Sequence, residues 1–335
     1  MVERLSKEYV EQHINWYNKT HQTSFQLKVK DDGDLFPYIR PALNTIYYNR
    51  HVEFGLLLYN LCFFHSTKGK NALVTYILLL KLLNMNCYYG AEVLFIQLKK
   101  QVDNFLKIIL KQYDLNTNLN LDVQFLFMLY HEFGHQSLKA SEKLKQTCLK
   151  FAEDGLRDAT KSMKWPITSS FVQSVIDDKR QLEEFGCDIM ARNWLAKLFE
   201  TNNVSEENSY SLQTISARSI FSLLHYKMIS SSLRGISWFK SSYKTDALRV
   251  TSLFYHIWLN IDEEYELSEK ETLNIYNKVL FKVVYMALIG AYKVSGYKEL
   301  VINGASLNTE PERKILLLET LDKYEKEVFS SVGYY

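Results

Sequence analysis

The sequence is poor in the residues that punctuate chains. Only four prolines and twelve glycines occur in 335 residues. A sheet-rich fold with many tight turns uses more of both, so long helices are expected. Cysteine is scarce as well. Cys62, Cys87, Cys148 and Cys187 show no CxxC spacing and are too few for a disulfide framework. Charge of one sign is also lacking. Forty Lys and Arg face 38 Asp and Glu, a net of +2, which supplies no field for nucleic acid. The first residues, Met-Val-Glu-Arg-Leu-Ser-Lys-Glu, lack the apolar centre of a signal peptide, and a cytoplasmic setting is expected. Long uninterrupted apolar runs are missing too. The nearest, Asn71 to Ala91, contains Lys81, which costs about 3 kcal/mol at the centre of a bilayer span. The second, Val279 to Tyr292, contains Lys282 and is shorter than the roughly 20 residues a span needs. Both read as core helices, and no integral membrane span is expected.

What is present is a 47% hydrophobic, 14% aromatic chain patterned mostly at helical spacing. The first 20 residues suggest a short helix using Tyr9, Ile14 and Trp16. Ser24 to Lys30 alternates Phe25, Leu27 and Val29 with polar neighbours, the period of a strand, before an Asp31-Asp32-Gly33-Asp34 turn. That turn lacks the remaining ligands of a calcium loop. Asn44 to Asn49 suggests a second short strand. From His51 onward helices dominate. Leu94, Leu98, Val102, Phe105 and Ile109 form an apolar stripe beside Lys99, Lys100, Lys107 and Lys111. Leu115 to Asn120 reads as a connector, with Asn120 or Asp122 capping a helix over Val123 to Leu138. A charged helix follows, ending near Trp165-Pro166. Ser169 or Ser170 caps one long helix through Phe171, Leu182 and Leu198. Further helical patterns lie near 210–234, 247–260, 268–293 and 310–329. Ser268 with Glu271, and Thr309 with Glu312, have capping-box spacing. No internal repeat appears. The expectation is one mainly helical (α+β) domain over 1–335, with a small strand-containing part at about 20–50.

Chemistry concentrates in Tyr130-His131-Glu132-Phe133-Gly134-His135. Residues four apart share a helix face, so His131 and His135 can turn two imidazoles to one metal ion. Glu132, beside them, can reach a water on that metal. The flanking Met128, Leu129, Phe133, Gly134 and Gln136 are uncharged, as a buried metal helix requires, and Gly134 lets another element come close. Chance produces HExxH in roughly one shuffle in a hundred of such a chain, so the motif is moderately specific, and structural histidines are the competing reading. A second feature sharpens it. Catalytic zinc takes a third protein ligand. Downstream, Glu183-Glu184-Phe185-Gly186-Cys187-Asp188 places Glu184 and Asp188 four apart on an expected helix. One carboxylate can bind the metal while the other orients a ligand histidine. A solvated acidic turn is the alternative. His225 and His256 sit in apolar helical surroundings and read as core or rim histidines.

These two stretches resemble the gluzincin zinc metallopeptidases, in which two helices supply His, His and Glu to one ion. The spacing of about fifty residues and the Glu-Glu-x-Gly-Cys-Asp-x-x-Ala wording are most similar to the bacterial phage-exclusion (Lit-type) peptidases. The resemblance covers about 60 residues. It implies Zn²⁺ held by His131, His135 and Glu184, with Glu183 as fallback ligand, Glu132 as general base and Asp188 as partner of His131. It implies hydrolysis of a peptide bond in a protein or peptide substrate, with a regulatory or phage-derived activator as partner. Related families carry a later His-Pro with an Arg six residues after the His. Here Tyr243 and Arg249 stand at that spacing without the His or Pro, and Tyr243 is the candidate oxyanion donor. A strand such as Asn44 to Asn49 would take an extended substrate by edge addition. The competing classes are a helical interaction protein that keeps a structural metal or has lost activity, and a peptidase effector delivered into another cell.

Overall fold

A computed structural model describes residues 7–30, 38–49, 51–63, 67–109, 116–162, 169–200, 223, 226 and 311–332. They form a mainly α fold with one small sheet. The helices are α1 (Lys7–His21), α2 (His51–Leu58, continued by a π-helical turn Tyr59–Phe63), α3 (Thr67–Asn84), α4 (Tyr88–Ile109), α5 (Asn116–Ala140), α6 (Glu142–Ser162), α7 (Ser169–Asp177), α8 (Lys179–Glu200) and α9 (Pro311–Ser331). The strands are β1 (Gln26–Lys30), β2 (Tyr38–Arg40) and β3 (Thr45–Asn49). Two compact units are present. The described residues of the first are those up to Asp122 together with α9. Those of the second run from Val123 to Glu200, with Leu223 and Tyr226.

In the first unit, Asn18 ties α1 to β1. Its Oδ1 accepts the Phe25 N–H at 2.9 Å and its Nδ2 donates to the Phe25 carbonyl at 2.9 Å. The sheet order is β1-β3-β2, with β1 parallel and β2 antiparallel to β3. β3 therefore has neighbours on both sides at Thr45, Ile46 and Tyr47, which corrects the expectation that it offers a free edge there for substrate. The Asn71–Ala91 run is core helix, as its interrupting lysine implies: Ala72 to Leu80 are all buried. The helix stops in a Schellman motif. Asn86 adopts a left-handed φ of 57°, its N–H bonds the Leu83 carbonyl, and Cys87 N–H bonds that of Leu82 at 2.8 Å. No helix among the described residues is long and apolar enough to cross a membrane. The stripe Leu94, Leu98, Val102 and Phe105 is buried on α4, while Lys99 and Lys100 are exposed.

α9 locks into this unit through polar groups that burial makes costly to leave unpaired. Glu325, 4% exposed, lies 2.9 Å and 3.1 Å from His51 Nδ1 by its two oxygens and accepts the Tyr76 hydroxyl at 2.7 Å. Arg313 holds Glu92 with two 2.7 Å bonds. Tyr324 reaches Asp103 at 3.1 Å and sets its ring edge-on to Phe95. Glu53 accepts a hydrogen bond from Tyr48. Burial pushes the Glu53 carboxyl up to about 7, with Glu325 and Asp122 adding repulsion. Burial likewise pushes Asp122 up to about 7.

Asp122 corrects a sequence expectation. It does not cap α5, which starts at Asn116, so the segment 116–120 read as connector is helix. A second correction concerns the long helix expected from Phe171 to Leu198. It is two helices, α7 and α8, split at Asp178. The Asp178 carboxylate accepts the N–H groups of Arg180 (3.0 Å) and Gln181 (3.4 Å), and the Gln181 side chain donates back at 2.9 Å. These bonds, the one from the Gln181 side chain foremost, hold the Asp178 carboxyl below its usual range. α6 begins at a Ser141 cap. The second unit packs Ala152 and Leu156 of α6, Val172, Val175 and Ile176 of α7, and Leu182 and Phe185 of α8 into one cluster. Leu138 of α5, Cys148 of α6, and Cys187 and Met190 of α8 form another. The Asp31–Asp34 turn, the patterns at 247–260 and 268–293, the run at 279–292, and all of 210–234 except Leu223 and Tyr226 lie outside the described residues.

Glu53 and Asp122 set a pH dependence. Each has a folded-state pKa raised above its unfolded value, so the stability tied to its protonated form is complete below about pH 4 and is lost as pH rises through 7. Chemical denaturation of wild type should show stability falling between pH 5 and pH 8. Glu53→Gln should flatten that slope and exceed wild type at pH 8 by roughly 1–3 kcal/mol. Parallel pH profiles would refute the assignment.

Candidate metal centre

The site is built from α5 and α8 within the second unit. His131 and His135 lie one turn apart on α5, their rings 4.9 Å apart and nearly perpendicular at 87°. Glu184 comes from α8, a turn and a half beyond the Asp178 cap. Its Oε2 is 3.4 Å from His131 Nε2 and its Oε1 is 3.3 Å from His135 Nε2. One ligand atom from each of the three lies within 4.8 Å of the others, and among the described residues this is the group that could hold a metal ion.

The spacing fits a metal better than direct pairing. A charge-assisted N–H···O bond is about 2.7–2.9 Å. Two ligands at about 2.0–2.2 Å from a tetrahedral ion are roughly 3.3–3.6 Å apart. The two His–Glu separations fall in the second range. The donor set of two imidazoles and one carboxylate suits a first-row divalent metal.

Asp188, one turn beyond Glu184, is 2% exposed, and its Oδ1 is 2.8 Å from His131 Nδ1. This ion-pair contact favours a proton on Nδ1, the tautomer in which Nε2 would keep its lone pair for a metal. The fallback residue Glu183 instead forms an ion pair with Lys145 of α6, a hydrogen bond that raises the Lys145 ammonium above its ordinary range, and the group that could hold an ion contains Glu184. Burial grades across the site. The His131 side chain is 9% exposed, that of His135 22% and that of Glu184 36%, so the ligand set opens to solvent on the Glu184–His135 side. Glu132 is half-buried next to His131.

Gly134 sits between the two histidines. A Cβ there would meet Cα and Cβ of Cys187 at 3.2 Å and its Sγ at 3.3 Å. The close approach anticipated at this glycine is therefore made by α8. Edge-on contact of Tyr130 with Trp194, ring centroids 5.9 Å apart, supports the same helix pair.

Of the sequence-derived site residues, His131, Glu132, His135, Glu184 and Asp188 lie on these two helices, and the two histidines, Glu184 and Asp188 converge. Tyr243, Arg249, His225 and His256 lie outside the described residues. Cys187 and Lys145 are site neighbours that sequence reasoning misses. Lys145 carries no local signal, since its role depends on where α6 passes α8. Compared with protein-family models, curated proteins and solved structures, the chain finds no match.

The arrangement separates adjacent acidic residues by function. In a Zn²⁺ titration against a competing chromophoric chelator, Glu184→Gln should weaken binding at least 100-fold. Asp188→Asn should cost roughly 10–100-fold. Glu183→Gln should bind as wild type does. Equal binding by Glu183→Gln and Glu184→Gln would overturn the ligand assignment.

Proposed function

We propose that the chain is a zinc-dependent endopeptidase of the gluzincin type, hydrolysing a peptide bond in a protein substrate. The observation that carries this reading is the convergence of Glu184, from a separate helix, on both histidines of the HExxH segment, with Asp188 behind His131. Random occurrence of the five-residue motif brings neither a third ligand nor an orienting carboxylate. His131, His135 and Glu184 would hold the ion. When bound, zinc supplies Lewis acidity, which acidifies a water and polarises a carbonyl.

The remaining chemistry belongs to the chain. Glu132 acts as general base toward the attacking water and returns the proton to the departing amine. Asp188 keeps the His131 ring in one tautomer. The more exposed side, at His135 and Glu184, faces the substrate. Tyr243 is the oxyanion donor that the sequence offers. The resemblance to phage-exclusion peptidases favours a cytoplasmic enzyme held silent until a phage component or another regulatory partner activates it, over an effector delivered into another cell.

A structural-metal protein is the rival, and Glu132 discriminates. A site that only holds the fold together has no use for that carboxylate. Glu132→Gln should bind zinc stoichiometrically, as wild type does, yet lose cleavage by a factor of at least 10³. Comparing new protein N-termini in cells expressing either form reads the activity whatever the substrate is. A wild type that purifies and titrates without zinc, or new N-termini that persist in Glu132→Gln, would refute the peptidase.

A further inference from the structure

The three ligands come from two helices, so their mutual distances depend on how closely α5 and α8 approach. That approach has a contact at its centre. Gly134 lies one residue before His135 and three after His131, and Cys187 lies three after Glu184 and one before Asp188. Both residues are buried, Cys187 completely. A Cβ at position 134 would come within 3.2 Å of the Cα and Cβ of Cys187. The obstructing Cα is backbone, which rotamer changes cannot move. Accommodation would have to come from a shift of one helix against the other by a few tenths of an ångström. Zinc–ligand distances tolerate about 0.2 Å.

We propose that Gly134 and Cys187 are positioning residues that form a spacer, setting the span of the ligand set and hence which cation it holds best. The proposal rests on the metal-site reading. With no side chain at 134, α8 seats close enough for one carboxylate to face both Nε2 atoms at 3.3–3.4 Å. A methyl group there would part the two helices that carry the ligands. A small ion that needs short bonds then loses more than a larger ion of similar coordination preference. The helix itself does not need the glycine. In a helix interior alanine is favoured over glycine by about 0.5–1 kcal/mol, so local propensity opposes the residue found there.

The test uses the full chain, with Zn²⁺ and Cd²⁺ each titrated against a competing chelator and circular dichroism recorded on the same samples. Gly134→Ala should keep its helical signal, raise the zinc Kd about tenfold or more, and raise the cadmium Kd less, so that selectivity moves toward the larger ion. The double variant Gly134→Ala/Cys187→Gly removes the opposing Cβ and Sγ but leaves the Cα, and should recover part of the lost zinc affinity. Unchanged zinc affinity in Gly134→Ala, or equal losses for both ions, would overturn the spacer while leaving the metal site intact. If wild type binds neither ion, the metal reading itself fails. Should Gly134→Ala not fold, the double variant decides. A double variant that folds and loses more zinc affinity than cadmium affinity supports the spacer, and one that folds with both affinities unchanged or equally reduced refutes it.

Discussion

A carboxylate placed between two imidazoles is the contact on which the candidate site depends. Glu184 faces His131 and His135 at 3.4 and 3.3 Å, and the three side chains arise from helices whose described residues are separated by two further helices in sequence. Such a meeting requires three things at once. α5 must present both histidines on one face, α8 must begin at the right place, and α5 must put no side chain at the point where the two pass. The helical period supplies the first, the Asp178 cap the second, and Gly134 the third.

The polar groups of the two units solve different problems. Around His51, Glu325 and Tyr76, buried hydrogen bonds join α2, α3 and the last helix. Glu53 and Asp122 meet burial by holding their protons more firmly. At the candidate metal site the His–Glu separations are 3.3–3.4 Å, longer than a charge-assisted hydrogen bond. The same residue types, His and Glu, thus lock a helix in one place and form a group that could hold an ion in the other.

Much of this is legible in the sequence because it is local. Helical period, low proline and glycine content, the alternation at Phe25, Leu27 and Val29, and the four-residue spacings of His131 with His135 and Glu184 with Asp188 all depend on near neighbours. The structure brings the histidines, Glu184 and Asp188 together as that spacing suggests. The failures have their own physics. Asp178 followed by Gln181 is a capping signal, yet the apolar stripe running through it masks the break. Asp122 resembles a cap because aspartate usually is one, whereas here it is buried inside α5. β2 is three residues long, too short for alternation to register, and its presence turns β3 from an expected edge into an interior strand. Glu183 and Glu184 are told apart only by contacts across helices, Glu184 with the two histidines and Glu183 with Lys145.

The graded exposure of the ligands carries a kinetic consequence. If the group holds a cation, an ion arriving from bulk water would meet the outlying carboxylate and the second imidazole before the sheltered one, which lies against Asp188. Capture would then begin at the outer acid and finish at the inner ring, with departure in reverse. A scavenging chelator would first displace the carboxylate, so the rim would set the lifetime of the loaded state and the interior its strength.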